Sequence, residues 1–134
     1  MKHALQLLGI AGLVVSLVGT VLAEPIGDPR TYTGPVDNRR LICMSMKNAV
    51  QAKEGIEVQY QGKSYYLCCQ GCVSQFRNDP EKFRVAEDPV SRSLVDKAEG
   101  LVYAYKGSAY FFESEKTRQA FVKEPFRYVP EEGR

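Results

Sequence analysis

Histidine is almost missing from this chain of 134 residues: the single one is His3, at the very start. If the opening residues are removed, no imidazole is left, which excludes histidine-based acid-base catalysis and histidine-ligated metal centres. There is no glycine-rich phosphate loop either, and the carboxylates are scattered through polar segments rather than paired. An excess of one charge sign is also lacking. Lys and Arg number 18 against 16 Asp and Glu, a formal +2 with both signs mixed along the chain, so nothing marks a nucleic-acid footprint. Long apolar runs are confined to Ala4–Gly19, after Met1-Lys2-His3 and before Thr20-Val21-Leu22-Ala23. The polar interruptions Gln6 and Ser16, the small residues Val21 and Ala23, and Pro25 just beyond favour an export signal over residues 1–23 rather than a retained membrane anchor. Cleavage before Glu24 would remove Lys2, lowering the formal charge by one, and would remove His3 as well. No cysteine stands at the cleavage point, so no lipid anchor is expected. A periplasmic or secreted protein follows.

What is present begins with a segment rich in Pro, Gly and polar residues, EPIGDPRTYTGPVDN, read as a flexible leader over 24–38. The rest suits one compact domain or two very small modules, which would need cross-linking, a metal or mutual packing for stability. The chain also matches itself. At an offset of 45, Val50 meets Val95, Glu54-Gly55 meets Glu99-Gly100, Tyr60 meets Tyr105, and Gly62 meets Gly107. Further on, Tyr65 meets Tyr110, Phe76 meets Phe121, and Pro80 meets Pro125, with no gap needed. Each copy reads as two β-rich runs around a Gly-containing turn, followed by a short helix closed near a proline. The predicted strands are Ile56 to Tyr60 and Lys63 to Leu67, then Leu101 to Tyr105 and Ala109 to Phe112. The predicted helices follow Cys69 and run from about Ser114 to Lys123. The expected fold class is α+β, two ββα modules in tandem, at 39–86 and 87–130.

The copies part at the cysteines. Cys43, Cys68, Cys69 and Cys72 align with Asp88, Glu113, Ser114 and Thr117. Thiols needed only as core filling would be replaced by apolar residues, because free cysteine behaves as a small hydrophobe. Polar replacements suggest an exposed site that one copy kept and the other gave up. A loop ligand, a hairpin and two ligands at a helix start make the layout of a small metal-binding knuckle, and the helix N-terminus favours thiolate at Cys72. Neighbouring residues on a strand point to opposite faces, so Cys68 and Cys69 are not expected to share an ion. Cys43, Cys68 and Cys72 form the expected ligand set with Cys69 in reserve, and Met44 and Met46 stand as auxiliary thioethers or as plain core residues. Soft sulfurs suit Cu(I) at least as well as Zn(II). Two other readings stand beside this one. Export favours disulfides, in which Cys43 pairs with Cys68, Cys69 or Cys72 in a stapled interaction module. Cys69-Gln70-Gly71-Cys72 is also a C-x-x-C at a helix start, the pattern of a thiol-disulfide oxidoreductase, although the ββα context is not the thioredoxin one.

The series Cys43, then Tyr60-x-Gly62-Lys63-x-Tyr65-Tyr66-x-Cys68-x3-Cys72-x3-Phe76-x3-Pro80-Glu81-Lys82-Phe83, resembles the YHS domain, and its cysteine spacing resembles the related TRASH motif. The resemblance covers about Arg40 to Phe83, with a degenerate copy over Asp88 to Tyr128. Two features depart from it: Cys43-Met44-Ser45-Met46 replaces the usual Cys-Gly-Met, and the gap from Cys43 to Cys68 is longer than usual. The resemblance implies a treble-clef-like fold and a role in heavy-metal sensing, transport or trafficking, copper prominent among the metals; taken with the residues, the protein is expected not to be an enzyme. The expected partners are the metal ion itself and a metal transporter or another exported protein.

Overall fold

The computed structural model describes residues 26–45 and 47–129; the expected export signal, with His3, and Met46 lie outside the described residues. Among the described residues no helix is long and apolar enough to cross a membrane. In chain order the elements are β1 (Gly34–Pro35), β2 (Ile56–Tyr60), β3 (Lys63–Leu67), α1 (Gln70–Asn78), α2 (Pro80–Phe83), β4 (Val85–Glu87), β5 (Leu94–Asp96), β6 (Leu101–Tyr105), β7 (Ser108–Phe112) and α3 (Glu115–Lys123). Short 3-10 turns occupy Arg39–Leu41 and Pro125–Arg127. The strands form three small antiparallel sheets, β1-β6-β7, β2-β3 and β4-β5. The architecture is mixed α+β, as expected.

Local chemistry explains the two long hairpins. Gln61 and Gly62 have φ of 49° and 74°, and Lys106 and Gly107 have 49° and 81°. Two successive positive φ values make the tight turn whose twist suits antiparallel strands, and glycine carries its second position without strain. The helix α1 stops at Asp79, whose carboxylate then accepts from the Lys82 amide to open α2 with Pro80 in the first turn. The helix α3 opens on Ser114, whose hydroxyl accepts from the Thr117 amide.

The second hairpin and helix follow the first at a constant distance: β6, β7 and α3 each begin 45 residues after β2, β3 and α1. Ring packing follows the same register. The Tyr65 and Phe76 rings lie 5.0 Å apart at 37°, and Tyr110 and Phe121 lie 5.0 Å apart at 35°. Tyr60 meets Phe76 edge-on at 6.1 Å, and Tyr105 meets Phe121 edge-on at 6.2 Å. One continuous apolar cluster joins the halves, running from Val36, Ile42 and Met44 through Tyr65, Leu67 and Phe76 to Val95, Val102 and Phe111.

Part of the segment expected as a flexible leader is built into the fold. Its strand β1 pairs with β6, Val36 is buried, and the Gly107 amide donates to the Tyr32 carbonyl at 2.9 Å. A strand of two residues has no periodicity to read, and pairing with a distant edge supplied the order that local propensity did not. The short pairing of β4 with β5 was unread in the sequence for the same reason.

Candidate metal centre

Each cysteine is placed by a different piece of backbone. Cys68 follows the last residue of β3, Cys69 is the extended residue that caps α1, and Cys72 stands in the first turn of that helix. Cys43 arrives on the loop after the first 3-10 turn. That loop is pinned by hydrogen bonds from the Cys43 amide to the Ala49 carbonyl at 2.9 Å and from the Met44 amide to the Tyr66 carbonyl at 2.7 Å. The second bond draws the loop against the end of β3, so Cys43 and Cys68 meet across 25 residues of sequence. The Cys68 amide donates to Cys43 Sγ at 3.1 Å, and Cys68 Sγ lies 3.6 Å from Cys72 Sγ. All three sulfurs fall within 4.8 Å of one another. Thiolates bound to one ion at about 2.3 Å sit about 4 Å apart, so this donor set needs little adjustment to hold a metal. Cys69 stands outside the trio, exposed on the helix cap, and all four thiols are free. Met44 is fully buried in the core.

The thiols differ in their ease of ionisation. Burial is the largest influence on Cys43 and opposes its ionisation. Hydrogen bonds from the Ser45 hydroxyl, from Cys68 through thiol and amide, and from Cys72 outweigh it and bring the thiol below its usual pKa. Cys68 is raised, first by its hydrogen bond to Cys43 and then by burial. Burial pushes Cys72 up to about 11. Cys69 is lowered, chiefly by the Cys72 backbone amide at the helix start. Within the trio Cys43 therefore ionises most readily, and Cys68 and Cys72 hold their protons more firmly and must lose them to bind an ion.

The counterpart positions in the second half carry a polar cluster with the same connectivity. The Glu113 amide donates to Asp88 Oδ2 at 3.0 Å, the position and partner that the Cys68 amide and Cys43 Sγ occupy 45 residues earlier. Thr117 Oγ1 donates to the same oxygen at 2.7 Å, where Cys72 approaches the trio. Asp88 and Thr117 are buried, not exposed as their polarity suggested. Their mutual hydrogen bonds make burial tolerable, and the amides of Val90 and Ser91 satisfy the other carboxylate oxygen.

The sequence did not single out Asp96 and Lys97. Asp96 accepts from Lys63 at 3.0 Å and from the Tyr65 hydroxyl at 2.9 Å, and pairs with Arg84 at 3.3 Å. Lys97 is 3% exposed, and its Nζ donates to the Ser45 carbonyl at 3.0 Å, two residues from Cys43. At the offset of 45 these residues face Gln51 and Ala52, two mismatches among many, so the sequence carried no distinctive signal for them.

Comparison with known proteins places residues 47–87 in the family model described as the YHS domain. Cys68, Cys69 and Cys72 lie within the matched residues, whereas Cys43 and the second hairpin lie outside them. No curated protein and no solved structure matches the chain.

Proposed function

We propose, from a chain whose residues 47–87 match the family model of the YHS domain, that Cys43, Cys68 and Cys72 bind a soft metal ion, Cu(I) first and Zn(II) otherwise. The protein then works without catalysis in metal trafficking, storage or resistance after export, and hands its ion to or takes it from a transporter or another exported protein. The observation that carries the reading is the convergence of three sulfurs from two distant segments. Cys43 has no packing reason to be matched in the second half by a carboxylate, and a metal-binding role gives it one. The donor set fits: soft sulfurs, no imidazole among the described residues, and one thiol held below its usual pKa. Bound metal would supply a cross-link between the Cys43 loop and the start of α1, a stabilisation that a small module needs.

The second half is read as a copy of the first, treble-clef-like in plan, whose thiols gave way to Asp88, Glu113, Ser114 and Thr117. The equal spacing of elements, the paired ring geometries and the shared amide-to-ligand bond support it. In that reading the Asp88 cluster does by hydrogen bonding what the ion does in the first copy, joining the incoming loop to the helix start.

The test is elemental mass spectrometry beside free-thiol counting on protein purified anaerobically, before and after Cu(I) or Zn(II) is offered. One tightly held ion per chain with three thiols protected supports the reading. No retained ion, with cysteines that pair readily in air, would favour the disulfide-stapled module instead. Sequencing the N-terminus of protein recovered from expressing cells checks export; a start at Glu24 is expected.

A further inference from the structure

Lys97 belongs to the half of the molecule that has no cysteines, yet its side chain crosses to the loop of Cys43. The crossing is held from both sides. Arg39, in the first half, donates from one guanidinium nitrogen to the Lys97 carbonyl at 2.9 Å and from the other to the Gly100 carbonyl at 2.6 Å. The Lys97 amide donates to the Arg84 carbonyl at 2.8 Å. The backbone is thus fixed, and the side chain runs inward to a 3.0 Å hydrogen bond with the Ser45 carbonyl.

A buried ammonium ordinarily needs an anion. Among the described residues Lys97 has no carboxylate partner, and its nitrogen makes that one hydrogen bond to a neutral carbonyl. Its neighbour Asp96 is taken up by Lys63, Tyr65 and Arg84. The carbonyl that holds the Lys97 ammonium belongs to Ser45, two residues from Cys43, so the cation stands against the loop that carries that sulfur. Burial pushes the ammonium down to about 8, and Cys43 acts in the opposite direction.

We propose that Lys97 is the counter-cation of the Cys43, Cys68 and Cys72 site, supplied by the thiol-free half, and that it tilts the site toward the ion whose complex carries more negative charge. This rests on the metal-binding reading above. Three thiolates around a divalent ion leave one net negative charge, and around a monovalent ion they leave two. A fixed ammonium therefore favours the Cu(I) complex over the Zn(II) complex by one extra charge-charge interaction. Two unit charges about 10 Å apart at an effective dielectric near 20 interact strongly enough to change an affinity about tenfold, which sets the scale of the expected effect. The proposal gives the thiol-free half a task in binding; Ala52, which faces Lys97 at the offset of 45, has no ammonium to offer.

The experiment compares wild type, Lys97→Met, Lys97→Gln and Lys97→Arg, each titrated with Cu(I) and with Zn(II) in competition with a chromophoric chelator of known affinity. The ratio of the two affinities is the readout, because a purely structural role would weaken both ions alike. The expected result is a Cu(I)-to-Zn(II) ratio about tenfold lower in Lys97→Met or Lys97→Gln, restored toward wild type by Lys97→Arg. An unchanged ratio in a folded, charge-free variant that still binds overturns the proposal and leaves the metal site standing. Failure of both charge-free variants to fold while Lys97→Arg folds would make the residue structural and would also overturn it. Absence of any ion in wild type would instead bring down the reading beneath it.

Discussion

Cys43 combines two properties that usually exclude each other, near-complete burial and a thiol pKa held below its usual value. Donors from Ser45, Cys68 and Cys72 resolve the conflict; Cys68 is raised chiefly by its bond to Cys43 and Cys72 chiefly by burial, so both keep their protons. Metal loading must displace those protons, which fixes the sign of the pH dependence. Below the thiol pKa values protons compete with the ion, so affinity should rise with pH from neutrality toward about 11, where Cys72 titrates. Competition titrations at several pH values read this directly, and a flat profile would rule out loading through protonated thiols. Substitution separates the four cysteines: Cys68→Ser or Cys72→Ser should abolish tight loading, Cys69→Ser should weaken it less, and Glu113→Ala should leave it unchanged. Equal losses at Cys68 and Cys69 in the same metal-content assay would contradict the assignment of the trio. The separation of Cys68 from Cys69 was expected from strand alternation, although β3 ends at Leu67 and both stand beyond it, Cys69 as the extended cap of α1. The burial of Asp88 and the reach of Lys97 were not legible, since both depend on partners some 25 to 50 residues away.

Hairpins and helices could be read because their signals are local: a glycine at the second turn position, a cap residue, a proline after the helix. The predicted strands and helices match the observed ones to within a residue at most ends. What could not be read was β1, β4 and β5, strands of two or three residues whose existence depends on distant pairing. One consequence concerns the two turn glycines, which look alike in sequence. At Gly62, with φ of 74°, a Cβ would meet nothing, so Gly62→Ala costs only backbone strain, roughly 1 kcal/mol. At Gly107, with φ of 81°, a Cβ would collide with the carbonyl of Arg30, because the incoming segment crosses there. Gly107→Ala should therefore destabilise by clearly more, on the order of 3 kcal/mol, by adding displacement of that crossing to the same strain. Denaturant unfolding of the two variants makes the comparison, and equal losses would mean that the crossing contributes little to stability.

At the scale of the whole molecule, two halves share one apolar cluster and exchange polar groups, Lys63 and Tyr65 to Asp96 in one direction and Lys97 to Ser45 in the other. Such sharing should make unfolding a single cooperative transition, checked by coincident near-ultraviolet and far-ultraviolet signals. The Asp88 cluster should dominate its acid limb. Burial is the largest influence on this carboxyl and opposes its ionisation, but hydrogen bonds from Thr117 and from the amides of Glu113, Val90 and Ser91 bring its pKa below the usual value. A depressed carboxyl contributes stability that is present above its unfolded pKa, near 3.9, and is lost as pH falls through the folded value. Asp88→Ala, which leaves those donors unpaired, should cost about 3 kcal/mol at neutral pH and flatten the stability profile below pH 4. A variant with an unchanged acid limb would show that other carboxylates govern it. The central claim is that three cysteine sulfurs from two distant segments surround one ion. X-ray absorption at the metal edge of the loaded protein counts those sulfurs most directly. A shell of three sulfurs at about 2.2 to 2.3 Å, falling to two in Cys43→Ser, is the expected result. A shell dominated by oxygen or nitrogen, or a sulfur count that Cys43→Ser leaves unchanged, would contradict it.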